Sequence, residues 1–192
     1  MNARRAGGAL LIAGGLVAVP LWLVFTNAHG PTSFNENRLT LGRDVDFWGM
    51  LLGVIPNVLV AAGLCLSRPI LLRGGGGGVR VGYSVVVVAL LVSAGLDLAS
   101  GTLGPPSLLP FVAVGLVMLA VAGRAGAGLG WELRSACLAL GVALGVAFGW
   151  ALTPLDVFDR VGGYRIYGAL AHLLAGLGWA LIGALILRSD RT

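Results

Sequence analysis

Six apolar stretches, each near the length of a bilayer-crossing helix, alternate with short segments that hold most of the charge. They cover roughly 6–26, 47–66, 81–100, 107–123, 134–153 and 166–187. A helix rises 1.5 Å per residue, so about 20 residues cross a hydrocarbon core of ~30 Å. The run Val85 to Val88 would suit a strand in water. In lipid every backbone polar group needs an internal partner, which enforces helix there. The pattern predicts an all-α membrane protein, a six-transmembrane-helix bundle occupying residues 1–192 as a single integral membrane domain.

Within these spans small residues recur every fourth position, which places them on one helix face. The second span carries Gly49, Gly53, Asn57, Ala61 and Cys65 in this register. The fifth carries Cys137, Gly141, Gly145, Gly149 and Thr153, and the sixth Gly168, His172, Gly176, Ala180 and Ala184. Such ridges let two backbones approach closely. They predict that the second, third, fifth and sixth helices form the tight centre, with the first and fourth peripheral. On that expectation a leucine at Gly145 would force helices apart, and one at Val117 would be mild.

Composition moves the solvent from water to lipid. Hydrophobic residues make up 57% of the 192, charged residues 11%, and mean hydropathy is +0.93. Soluble domains average about 25% charged residues. All 13 basic residues are arginine, which with the Ala, Gly, Leu and Val excess suggests a GC-rich bacterial source. The pI near 10.2 does not imply nucleic acid, because the arginines sit singly or in pairs between spans. With the N-terminus in the cytoplasm, Arg4, Arg5, Arg68, Arg73, Arg80, Arg124, Arg134, Arg188 and Arg191 lie inside. Only Arg38, Arg43, Arg160 and Arg165 lie outside. This bias predicts a multi-pass protein of the cytoplasmic (inner) membrane with both termini cytoplasmic. Thr26-Asn27-Ala28 is a poor cleavage site after an overlong apolar run, so the first span is expected to be retained rather than removed as a signal. Trp22, Trp48, Trp150, Tyr164 and Tyr167 are expected at the outer interface.

Chemistry-bearing residues are few. Cys65 and Cys137 have no neighbouring histidine and both fall near cytoplasmic helix ends, so neither a metal site nor a disulfide is expected. The five glycines Gly74 to Gly78 run into Val79-Arg80 without the Lys and Ser or Thr of a phosphate loop, and read as a flexible link. The segment from His29 to Asp46 is a solvated outer loop or a ligand-binding lid. The second outer loop holds Asp156, Asp159, Arg160 and Arg165 around two glycines.

Three polar groups stand on small-residue faces inside the spans: Asn57, Asp97 and His172. Polar side chains there are costly and point to the bundle interior. Each has a plainer use. Asn57 suits an interhelical hydrogen bond, Asp97 interfacial solvation or a helix cap, and His172 packing. Their depths also permit an Asp97–His172 pair in the outer third, above Asn57, which would make a pH-sensitive outward-facing polar pocket. Serine-nucleophile, zinc-protease and paired-aspartate arrangements are lacking. The sequence therefore points to a non-enzymatic transport-related or accessory protein that needs no cofactor. The alternatives are a structural or partner-binding subunit of a larger membrane complex, and then an intramembrane enzyme with an Asp/His relay. Expected partners are the lipid bilayer and a membrane-protein partner or second copy.

The stretch around Asn57 and the Ser93-x-x-x-Asp97 pair resemble the VanZ-type membrane proteins, in which an Asn-led second helix precedes a Ser-x-x-x-Glu stretch. The likeness covers two helices. Gly63 lacks the usual proline before it, and the fourth span lacks that family's acidic and amide residues, so the chain is not assigned to it.

Overall fold

The computed structural model describes residues 3–30, 36–123, 129–154, 157 and 163–189. The described residues form six helices and no strand: α1 (Ala3–His29), α2 (Val45–Leu71), α3 (Gly77–Ser100), α4 (Leu109–Ala122), α5 (Trp131–Ala151) and α6 (Gly163–Arg188). Five are long and apolar enough to cross a membrane. α4, at 14 residues after a 3-10 turn from Pro106 to Leu108, is the short one.

Local signals set the helix ends at the loop side. Asp44 caps α2, its carboxylate accepting the Phe47 N–H at 2.9 Å, which satisfies one of the first-turn donors. α3 stops at Gly101, whose φ of 71° belongs to the left-handed region that glycine enters without strain. At the opposite end, the Arg134 guanidinium donates to the Ala120 carbonyl at 3.1 Å and ties the start of α5 to the end of α4. Arg4 donates to the Ser189 carbonyl and hydroxyl at 2.9 and 2.8 Å, holding the two chain ends together.

Each helix packs antiparallel against its neighbours in the chain, and α6 returns to α1, closing a ring. The most extensive pairings are α1 with α2 and α1 with α6. This overturns the expectation that the first and fourth helices are peripheral. The reason lies in two glycine pairs seven residues apart. Gly7 and Gly14 face α2, where a Cβ on Gly7 would lie 2.9 Å from the Gly63 carbonyl oxygen and one on Gly14 would lie 3.1 Å from that of Pro56. Gly8 and Gly15 face α6, against the backbones of Gly183 and Gly176. One helix thus presents a backbone-deep groove to each of two partners. α4 likewise buries Val112, Leu116 and Leu119 between α3 and α5.

The stripe on α5 divides. Gly141 packs on α4, a Cβ there lying 2.9 Å from the Ala113 carbonyl oxygen. Gly145 and Gly149 have open space where a side chain would go. A side chain begun at Gly145 meets nothing within 4 Å of its Cβ among the described residues, contrary to the sequence expectation, because the ridge turns outward after Cys137 and Gly141. On α2, Gly49 lies against Leu103 and Phe25, and Gly53 against Asp97. On α6, Gly168 lies against the Trp22 ring and Gly176 against Gly15.

Two apolar clusters result. The larger spans all six helices, from Leu11 and Leu64 through Leu116 and Leu140 to Ile182. The smaller gathers Trp22, Phe25, Ala28, Val45 and Leu52 at the loop end.

Candidate polar chamber

Where the two clusters meet, a cavity of about 110 Å³ opens between α1, α2, α3, α6 and the turn leading into α4. Asn57, Asp97 and His172 all lie on its wall, with Ser93, Tyr167 and Trp179. Each is placed by a distinct local device.

Asp97 sits in the last turn of α3 and is only 3% exposed. Its Oδ1 accepts the Gly104 N–H at 2.7 Å, so the carboxylate pins the turn between α3 and α4. Its Oδ2 lies against Gly53, so closely that a methyl group on that glycine would overlap it. Interfacial solvation is therefore not its situation. Gly53, read from sequence as a helix-packing position, is the space a carboxylate occupies.

Asn57 follows Pro56, which lacks the N–H that would serve the Leu52 carbonyl. The Asn57 amide Nδ2 donates to Gly53 O at 2.8 Å, one turn back on its own helix. This is not the interhelical bond expected of it. Its side chain is half-buried and lines the cavity.

His172 lies in a π-helical turn, Ala169–Leu174, inside α6. Such single wide turns recur at functional sites. The imidazole stacks on Trp22 with ring centres 4.9 Å apart and an interplanar angle of 18°, and meets Tyr167 edge-on at 6.2 Å. Its Nε2 is buried without a hydrogen-bond partner among the described residues. No ion pair joins it to Asp97 among them, so the two share the chamber without touching as a pair.

The stack continues outward. Trp22 meets Tyr164 at 5.5 Å, and Tyr164 lies on His29 at 4.0 Å and 14°. A line of rings thus connects the chain's two histidines. The Tyr164 hydroxyl, His29 Nδ1 and Thr26 Oγ1 are also buried and without partners among the described residues. These rings wall a second, outer chamber of about 320 Å³, which adds Asp46 and Thr102 and shares Leu103, Gly104 and Tyr167 with the inner one.

Sequence reading missed this outer set. Trp22 and Tyr164 were expected as interface anchors, but both are drawn inward, Trp22 to 4% exposure. The spacing Trp22, Phe25, His29 is one helix face and was the available signal. Trp48 and Trp150 hold structure near the interface, donating to the Thr40 and Gly163 carbonyls at 2.9 and 3.1 Å.

The charges of the first outer loop are spent locally. Arg38 pairs with Glu36, Arg43 lies 4.9 Å over the Phe47 ring, and Asp46 accepts the Thr102 hydroxyl at 2.7 Å. Of the second outer loop, Asp156, Asp159 and Arg160 lie outside the described residues. Among the described residues no three His, Cys, Asp or Glu side chains gather in a metal-holding group. Compared with family models, with curated proteins and with solved structures, the chain matches none.

Proposed function

We propose that this polytopic membrane protein binds a small polar solute in the chamber of Asn57, Asp97 and His172, in a transport-related or accessory role rather than an enzymatic one. The observation that carries the reading is the shared wall: three polar side chains from three helices border one cavity in an otherwise apolar bundle. Ionisable groups inside a membrane span are costly and by default mark a candidate functional site, as Asp97 and His172 do here. The arginine distribution supports an orientation with both termini in the cytoplasm and the loop end outside, in a bacterial inner membrane. The chamber then lies on the outer side of the bundle, walled there by the turn from Leu103 to Pro106.

A second reading, a subunit that docks on another membrane protein or a second copy, is favoured by the outward ridge at Gly145 and Gly149. Native mass spectrometry of the gently solubilised protein separates the two. Solute binding predicts a small molecule that copurifies and is lost in the Asp97→Asn variant. A stoichiometric polypeptide partner with no small molecule would instead establish the subunit reading.

A further inference from the structure

We infer that the inner chamber takes a small alkylammonium cation, an assignment that rests on the solute-binding reading and names the class of solute. Charge is the first support. Among the described residues Asp97 is the only acidic side chain on the chamber wall, and no described arginine shares that wall. The chain has no lysine. A carboxylate taken out of water requires a compensating positive group or a proton. Among the described residues, the titratable side chains facing the chamber from the elements around it are Asp97, Tyr167 and His172. Among the described residues the histidine is not paired with the carboxylate, and its Nε2 is buried and without a partner.

Hydrogen-bonding capacity is the second support. Asn57 spends an amide N–H on Gly53 O, which leaves its own carbonyl oxygen available. Pro56 withholds a donor from the Leu52 carbonyl, and both residues border the chamber. The Gly104 N–H is already given to Asp97. The Asp97 carboxylate and the Asn57 carbonyl are acceptors that a ligand N–H would satisfy, while Ser93, Tyr167 and Trp179 on the same wall carry donors of their own.

Shape is the third. Tyr167 and Trp179 contribute rings, and ring faces attract cations by about 0.5–2 kcal/mol. Gly14, Ala18, Val60 and Ala175 complete an apolar lining that suits an alkyl group. A bare metal cation needs about six or more converging oxygens, and among the described side chains of this wall only Asp97 offers a charged one. A volume of about 110 Å³ holds a ligand of only a few heavy atoms. The outer chamber provides an approach of matching character, with Asp46 at its rim and the Tyr164 and Tyr167 rings along its side.

The test uses the full chain in detergent, titrated at constant ionic strength with ethylammonium, sodium, potassium and the uncharged analogue ethanol. Two readouts run together: thermal stability, and modification of the Asp97 carboxyl by a hydrophobic carbodiimide, followed by peptide mass spectrometry. The assignment predicts a saturable rise in melting temperature with ethylammonium, and at least fivefold slower Asp97 modification in its presence. The Asp97→Asn variant should lose the thermal response. If that variant does not fold, the carbodiimide readout on the native sequence decides alone. Equal protection by sodium or potassium overturns the alkylammonium assignment in favour of an inorganic ion. Saturable binding of ethanol without ethylammonium overturns the cation while leaving the solute pocket standing. No protection by any probe overturns the cation as well, and the copurification measurement then decides the pocket separately.

Discussion

The two halves of the bundle are held by different means. Toward the chain termini, α1 meets α2 and α6 backbone to backbone through Gly7, Gly8, Gly14 and Gly15. Toward the loops the same helix presents Trp22, Phe25 and His29, and rings replace glycines as the spacers. Lipid gives helices no hydrophobic reason to associate, so close van der Waals contact has to do it. The glycine half maximises that contact. The ring half gives some of it up and leaves two chambers and four buried polar atoms without partners among the described residues. Close packing and the proposed solute chamber thus lie toward opposite ends of one helix, with Gly14 at their boundary.

Substitutions can break this comparison, and the largest effect is expected in the glycine half. Gly15→Leu places a side chain into the Gly176 and Ala180 backbones. It should cost about 3 kcal/mol or more, the upper end of overpacking effects, read as loss of folded protein in a detergent unfolding series. Gly53→Ala comes next. Its methyl displaces the Asp97 carboxylate and, through Gly104, the turn before α4. About 1–3 kcal/mol is expected. In a double-mutant cycle the loss should shrink when Asp97 is also replaced by alanine. Additive losses would show that the two residues do not share the contact.

Smaller effects sharpen the ring half. His172→Phe keeps the stack on Trp22 and removes a nitrogen that has no partner. Stability should change by less than about 1 kcal/mol, while solute binding is lost. A large destabilisation would make His172 a packing residue after all. The least effect is expected at Gly145→Leu, within about 0.5 kcal/mol for a side chain that meets only open space. A severe loss there would reveal a partner helix from outside this chain.

The helices were readable because lipid leaves few alternatives: all six spans predicted from hydropathy correspond to helices, with ends shifted by five residues or fewer. The polar residues of the inner chamber were readable because they interrupt apolar runs. The facing of the ridges was not. In a soluble helix the polar face points outward, but in a membrane both directions are apolar and hydropathy carries no sign. The α5 stripe therefore looked like the packing centre, although Gly145 and Gly149 face away from the bundle. The Gly7-Gly8 and Gly14-Gly15 pairs were in plain view, yet spacing alone does not say that one glycine of each pair serves each neighbour. The ring line from His29 to His172 joins residues far apart in the chain, which no local pattern predicts.

The central claim is a solute chamber confined to the loop half, and cysteine accessibility along α6 tests it most directly. Ala171 lines the inner chamber, whereas Ile182, on the same helix, is buried in the larger apolar cluster. In a Cys65→Ser background, Ala171→Cys should react with a small, membrane-impermeant thiol reagent added from outside intact cells. Ile182→Cys should stay unmodified until the protein is denatured. Reaction at Ala171→Cys that is slowed by ethylammonium would also link the chamber to its proposed ligand. Failure of Ala171→Cys to react in a folded variant, while Thr102→Cys on the adjoining turn reacts, would contradict the chamber.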